Sequence, residues 1–76
     1  MERIREFEEE IKDRIASARK RLREIVNMPM ELENEGGIAT TFNRWKEALS
    51  LTRDVLGDLE ALFWLNKLKE QEEQKV

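Results

Sequence analysis

Five basic residues lie close together in the first half of the chain, and they are the first candidates for binding chemistry. They are Arg14, Arg19, Lys20, Arg21 and Arg23. On a helix, Arg14 and Arg21 flank one side of the apolar stripe, Arg19 and Arg23 flank the other side, and Lys20 lies behind it. This distribution is typical of a solvated helix whose positive charges complement the helix dipole. A small anionic ligand or nucleotide bound between protomers, or weak nucleic-acid binding through the Arg14–Arg23 region, is the alternative.

The chain lacks the residues that most often serve in catalysis and metal binding. The chain contains no histidine and no cysteine, which removes the commonest general base, the commonest transition-metal ligand and any thiolate. Four carboxylates could approach one another, but they fall on the solvated face of the first helix. They are Glu6, Glu9, Glu10 and Asp13. We therefore expect no enzymatic activity, no metal ion and no cofactor.

A tryptophan and several hydroxyl residues form a third candidate set, in residues 40–52. Trp45 is expected to cover the loop end of the core, against Leu22 and Ile25 of the first helix. The alternative is a small-ligand pocket between protomers, lined by tryptophan and hydroxyl groups. The set consists of Thr40, Thr41, Trp45, Ser50 and Thr52.

The first element that must position these residues is a helix over residues 2–27. Its apolar residues recur at steps of three and four, which predicts one narrow buried stripe. The stripe contains Ile4, Phe7, Ile11, Ile15, Ala18, Leu22 and Ile25. Pro29 ends the helix, because the residue before a proline is biased away from the α region.

Residues 28–39 are predicted to connect two helices. Pro29 and Gly36 would suit one or two extra helical turns over residues 30–35. The pair Gly36-Gly37 then allows the chain to reverse. Thr40 or Thr41 is the expected N-cap of the second helix.

The second helix, predicted over residues 40–72, carries two apolar seams. Seam A contains Phe42, Trp45, Leu49, Leu56, Leu59 and Phe63, with Thr52 filling its gap. Seam B lies about a quarter-turn away and contains Ala48, Leu51, Val55 and Leu62. One seam can pack on the first helix, and the other needs further cover. Gly57 is either a tolerated glycine that eases packing or a break, with Asp58 capping a third helix.

The segment 59–68 is apolar on almost every face, and such a helix must be buried on all sides. We expect this end of the chain to take part in self-association or partner binding. The expected interface residues are Leu51, Val55, Leu62, Trp64, Leu65 and Leu68.

Length and composition complete the prediction. A chain of 76 residues is a single domain, and without disulfides its small core is expected to need oligomerisation as a support. The net charge of -3 and the absence of a leader or membrane-spanning segment favour a cytoplasmic protein.

We therefore predict an all-α fold in which an antiparallel two-helix hairpin assembles into a homodimeric four-helix bundle or a higher oligomer. The expected function is non-enzymatic. The protein would bind and modulate or scaffold a protein partner, as a regulator or inhibitor does.

Overall fold

Two α-helices account for nearly all of the computed structural model, which describes residues 2–74. Helix α1 covers Glu2–Asn27 and helix α2 covers Glu35–Gln74, with residues 28–34 connecting them. The helices pack against each other in an antiparallel hairpin that measures 64 × 15 × 14 Å. The all-α, two-helix prediction is confirmed.

The stripe of α1 forms half of the hairpin's core. Ile11 and Ile25 are fully buried and Ala18 is buried, while Ile4, Ile15 and Leu22 are half-buried. Phe7, which we expected in the stripe, is instead half-exposed. Its place at the helix interface is taken by Glu8, because the four-three spacing of the buried residues runs from position 4 to 8 and then 11.

Helix α2 begins earlier than the sequence suggested, at Glu35. Asn34 is its N-cap: the side-chain Oδ1 accepts a hydrogen bond of 2.7 Å from the backbone N–H of Gly37. The predictions of a helical turn over residues 30–35, a reversal at Gly36-Gly37 and an N-cap at Thr40 or Thr41 are therefore wrong. Both glycines lie in the first turn of α2, and no described glycine has a positive φ.

Gly37 is required for space rather than for backbone conformation. A Cβ at this position would lie 2.8 Å from Cβ of Glu31 and 3.2 Å from its carbonyl oxygen. The connection therefore lies directly against the first turn of α2. The buried Thr41 holds it there, because its hydroxyl accepts a 3.0 Å hydrogen bond from the backbone N–H of Glu31 and donates one of 3.3 Å to the Glu31 carbonyl.

Gly57 does not interrupt α2, so of the two alternatives for this glycine the break, with Asp58 capping a third helix, is wrong. It does not serve close packing either, because a Cβ at Gly57 would meet no atom within 4 Å. The helix continues through this position, so seam A and seam B keep the same faces of α2 on both sides of Gly57.

Seam B is the face of α2 that packs on α1. Ala48 is buried, and Leu51, Val55 and Leu62 are half-buried. This packing face continues toward the loop through Gly37 and Thr41, which are also buried. Small side chains near a seven-residue connection let the two helices approach closely there, and the bulky residues of seam A would not. Within the described residues, neither helix is long and apolar enough to cross a membrane.

Candidate protein-binding surface

Seam A lies on the outside of the hairpin along most of α2. Its six large residues, together with Ile38 one step nearer the loop, have exposed fractions between 41% and 62%. From Ile38 to Phe63 the seam extends about 38 Å along the helix, at about 1.5 Å per residue. Large contiguous apolar patches on a monomer surface mark sites of interaction.

The spacing of seam A follows a heptad pattern. Starting at Ile38 and ending at Phe63, the steps alternate between four and three residues without interruption. Apolar residues that repeat in this way form the contact line between two packed helices. Each residue of seam A follows a residue of the α1-facing side by one position, so the two faces are about 100° apart around α2. Seam A is therefore a line of heptad-spaced apolar residues that α1 does not cover.

Three lysine–aromatic contacts lie along this surface. Nζ of Lys46 is 5.4 Å from the ring centroid of Phe42, and Nζ of Lys67 is 4.9 Å from that of Phe63. Lys67 also approaches the ring of Trp64, which meets the Phe63 ring edge to face at 5.7 Å. The lysine stems cover part of the rings and keep their charges in solvent.

The residues predicted as an interface between molecules lie in two different places. Leu51, Val55, Leu62 and Leu65 are half-buried on the α1-facing side, so they belong to the interface within the hairpin. Trp64 and Leu68 are exposed at the end of the hairpin opposite the connection. Trp64 lies about 100° around α2 from Phe63 of seam A, and Leu68 lies on nearly the opposite side of α2 from seam A. The exposed apolar surface is present as expected, but the seam that supplies it is A rather than B.

Trp45 belongs to this exposed surface. We expected it to cover the loop end of the core, but 41% of its surface remains exposed. Leu22 is half-buried and Ile25 is fully buried. The four-three spacing places Trp45 on seam A rather than on the α1-facing side of α2.

Ion pairs connect the two helices along one side of their interface. Arg14 donates a hydrogen bond of 2.9 Å to Asp58, and Arg21 donates two bonds of 2.6 and 2.9 Å to the carboxylate of Glu47. The bidentate Arg21 lowers the pKa of Glu47, and the carboxylates of Glu47 and Glu24 together raise the pKa of Arg21. These pairs border seam B on one side, so the opposite side, which leads to seam A, is left open.

A third cross-helix pair lies at the open end. Nζ of Lys69 is 2.6 Å from a carboxylate oxygen of Glu8. The hydrogen bond from Lys69 lowers the pKa of Glu8. Together with the two arginine pairs, it links α1 to α2 along most of the length of α1.

The five basic residues do not form one site. Arg14 and Arg21 are held in ion pairs on one side of α1. Arg19, Lys20 and Arg23 instead line a shallow open groove on the other side, which also includes Lys12 and Ala16.

The described residues contain no cluster of side chains that fits a metal ion. No group of three or more acidic residues in this part of the chain could hold a metal ion. The carboxylates of Glu6, Glu9, Glu10 and Asp13 lie in exposed positions of α1. Every buried side-chain nitrogen or oxygen of the described residues has a hydrogen-bond partner. Seam A is thus a large apolar surface that the rest of the described hairpin leaves exposed.

No protein-family model matches this chain, and neither the curated proteins nor the solved structures include one that is significantly similar to it.

Proposed function

We propose that this is a non-enzymatic protein that works by helix–helix association through seam A. The first product of that association is a homodimeric four-helix bundle, and the assembled protein binds and modulates or scaffolds a protein partner. The observation that carries the proposal is the exposed heptad line of large apolar side chains from Ile38 to Phe63.

The area of seam A is sufficient for a stable interface. Each of its half-exposed large side chains leaves on the order of 100 Å² uncovered, since such residues bury about 150–250 Å² when fully enclosed. Seven of them therefore present roughly 700 Å², against about 800 Å² per partner in a stable protein–protein complex. Scattered apolar residues on an ordinary surface do not reach this value in one line.

The small core of the hairpin supports the same conclusion. Only four apolar side chains are fully or nearly fully buried among the described residues: Ile11, Ala18, Ile25 and Ala48. A domain of this size gains about 3–5 kcal/mol from a single core and is usually supported by disulfides, a metal or oligomerisation. The chain has no cysteine, and covering seam A would add the missing apolar burial.

The experiment that tests the proposal is light scattering on a sizing column over a range of protein concentrations. The wild type is expected to have twice the 9.1 kDa mass of one chain at micromolar concentration. Leu49→Glu places a charge in the middle of seam A and is expected to give a folded monomer. Leu32→Glu makes the same change at an exposed position in the connection and should leave the dimer intact.

Leu68→Glu distinguishes seam A from the open end of the hairpin. Leu68 lies on nearly the opposite side of α2 from seam A, so its substitution should weaken association less than that of Leu49. A wild-type monomer at all concentrations, or equal effects of the Leu49 and Leu32 substitutions, would contradict self-association through seam A. Circular dichroism of each variant shows whether it has kept its helices.

The alternative function rests on the groove of α1 that Arg19, Lys20 and Arg23 line. A small anionic ligand or nucleotide in this groove would raise the melting temperature, because binding to the folded state stabilises it. A thermal-shift panel of nucleotides with no stabilisation at saturating concentration would exclude that function. Nucleic-acid binding through the same residues would weaken steeply with salt.

A further inference from the structure

Resting on the proposed function, we infer that the occupant of seam A is seam A of a second copy, running antiparallel. The two-fold axis lies beside Ser50 and Leu51, so that Leu49 of each copy packs next to Thr52 of the other. The inference combines three observations: the seam is exposed, it keeps heptad spacing, and its residues complement one another when the sequence is reversed.

The reversed alignment pairs every residue of the seam. In antiparallel helix pairs, residues from the two alternating positions of the heptad pack in common layers. Here each of the three aromatic residues meets an aliphatic residue, and the smallest residue, Thr52, meets a leucine. The four layers, each present twice, are Ile38 with Phe63, Phe42 with Leu59, Trp45 with Leu56, and Leu49 with Thr52.

The parallel alignment gives layers of much less even size. It places each residue beside its own copy, so Phe42, Trp45 and Phe63 would each meet an identical ring. Thr52 would meet Thr52 and leave a thin layer between two thick ones. Alternating large and small residues across an interface fill space at native density, whereas equal neighbours leave overfilled and underfilled layers. The antiparallel alignment is therefore the favoured one.

Charges beside the seam support the same orientation. On the flank away from α1, the reversed alignment brings Lys46 of one copy near Glu60 of the other, and this attraction occurs twice. Arg53 comes near Arg53 of the second copy at the two-fold axis. The two opposite-charge contacts lie on either side of this one repulsive contact, and all three residues are exposed in the hairpin.

The arrangement closes into four helices. Helix α1 covers the α1-facing side of α2, about 100° from seam A, which is close to the right angle between neighbouring contacts in a four-helix bundle. Corresponding flanks of two antiparallel helices lie on the same side of the pair. Both α1 helices therefore lie on the same side of the central α2 pair. There one side of each α1, which carries the exposed Val26 together with the basic Arg19 and Arg23, comes to face the other copy's α1.

Disulfide cross-linking tests the orientation, and the natural absence of cysteine gives a clean background. Single cysteines at Lys46, Arg53 or Glu60 replace exposed side chains, so the fold is expected to survive. Under mild oxidation, Arg53→Cys alone is expected to form covalent dimers. Lys46→Cys alone and Glu60→Cys alone should not, because like residues are then about 14 Å apart at position 46 and about 29 Å apart at position 60 along the helices. A mixture of these two variants should give a covalent heterodimer.

Two further variants complete the design. Leu59→Cys forms covalent dimers only if the helices are parallel, and Ser17→Cys, at an exposed position of α1, measures random collision. Efficient cross-linking of Leu59→Cys, or of Lys46→Cys alone, overturns the antiparallel arrangement while leaving self-association intact. A wild-type protein that stays monomeric in light scattering overturns the proposed function as well. A failure of the antiparallel arrangement can thus be distinguished from a failure of the proposed self-association.

Discussion

The two apolar faces of α2 differ in a way that hydrophobicity alone does not explain. The α1-facing side carries small or polar residues such as Thr41, Ala48 and Asp58, and it is covered. Seam A carries two phenylalanines, a tryptophan and three leucines, and it is exposed. The covered face is the one that lets two helices joined by seven residues approach closely. The exposed face holds most of the apolar area that remains available for association.

Under the proposed function, this difference gives the two faces separate roles. The inner face sets the geometry of the hairpin, since its small residues permit close approach and ion pairs cross between the helices beside it. The outer face carries large apolar side chains that remain exposed in the single hairpin. Changes at the inner face should therefore alter the free energy of unfolding of one chain, whereas changes at the outer face should alter association.

The largest expected effect on the free energy of unfolding comes from comparing a truncation in the α1–α2 interface with one in seam A. Ile25→Ala removes a fully buried side chain that packs toward α2, and it is expected to lower the free energy of unfolding by about 2–4 kcal/mol. Leu56→Ala removes a largely exposed side chain of seam A. At concentrations where the protein is monomeric it should change that free energy by less than about 0.5 kcal/mol.

Urea denaturation at low and high protein concentration measures both effects. The loss from Ile25→Ala should be similar at both concentrations, whereas the loss from Leu56→Ala should grow as the protein associates. A large loss from Leu56→Ala in the dilute monomer would show that seam A stabilises the hairpin itself. The distinction between the two faces would then be wrong.

A smaller effect is expected from the glycines of α2. Gly37→Ala introduces a Cβ within 2.8 Å of Glu31, and forcing the connection outward should lower the free energy of unfolding by about 1–2 kcal/mol. Gly57→Ala meets open space in a helix interior and should raise that free energy by about 1 kcal/mol. Thermal melts of the two variants would show opposite shifts. A stable Gly37→Ala variant would mean that the connection is not held against α2.

The smallest expected effect is the pH dependence of the ion pairs that border seam B. The pKa values of Glu8 and Glu47 are lowered below 4.5 in the folded chain by Lys69 and Arg21. The folded state therefore favours the ionised carboxylates, and their contribution is fully present above the unfolded pKa. It is lost as the pH falls through the lower folded values.

Melting temperatures measured from neutral pH down to strongly acidic pH should therefore stay level and then decline below about pH 4.5. Glu47→Gln removes one of the two groups and should make the decline shallower. Because these carboxylates are at the surface, the change should be modest and should decrease with added salt. An unchanged decline in Glu47→Gln would mean that the Arg21 pair does not contribute.

Local patterns predicted much of this fold. The stripe of α1 and the proline at position 29 are strong signals, and they lead to the helix over Glu2–Asn27. The start of α2 could not be read correctly, because a Gly-Gly pair suggests a turn more strongly than a first helical turn. What makes the pair helical is Asn34, whose capping bond is visible only in three dimensions.

The choice between the two seams also needed the structure. Both seams have helical spacing, and the bulkier seam A is the natural candidate for a core when only residue types are considered. The deciding factor is steric: near the short connection, the residues facing α1 are Gly37 and Thr41. The flanking positions of the arginines around the apolar stripe of α1 were predictable. Their pairing with Glu47 and Asp58 was not, because it depends on the relative positions of two helices.

The connection between the helices has a consequence for exchange between molecules. Hydrogen bonds to Thr41 and Asn34 hold it, Arg44 donates a bond of 3.3 Å to the Pro29 carbonyl, and Pro29 itself cannot continue α1 as an uninterrupted helix. Opening the hairpin to exchange α1 with another copy would break the bonds of Thr41 to Glu31 and of Arg44 to Pro29, so domain swapping is disfavoured. Any assembly through seam A then joins prefolded hairpins, and its subunits can separate and recombine without unfolding.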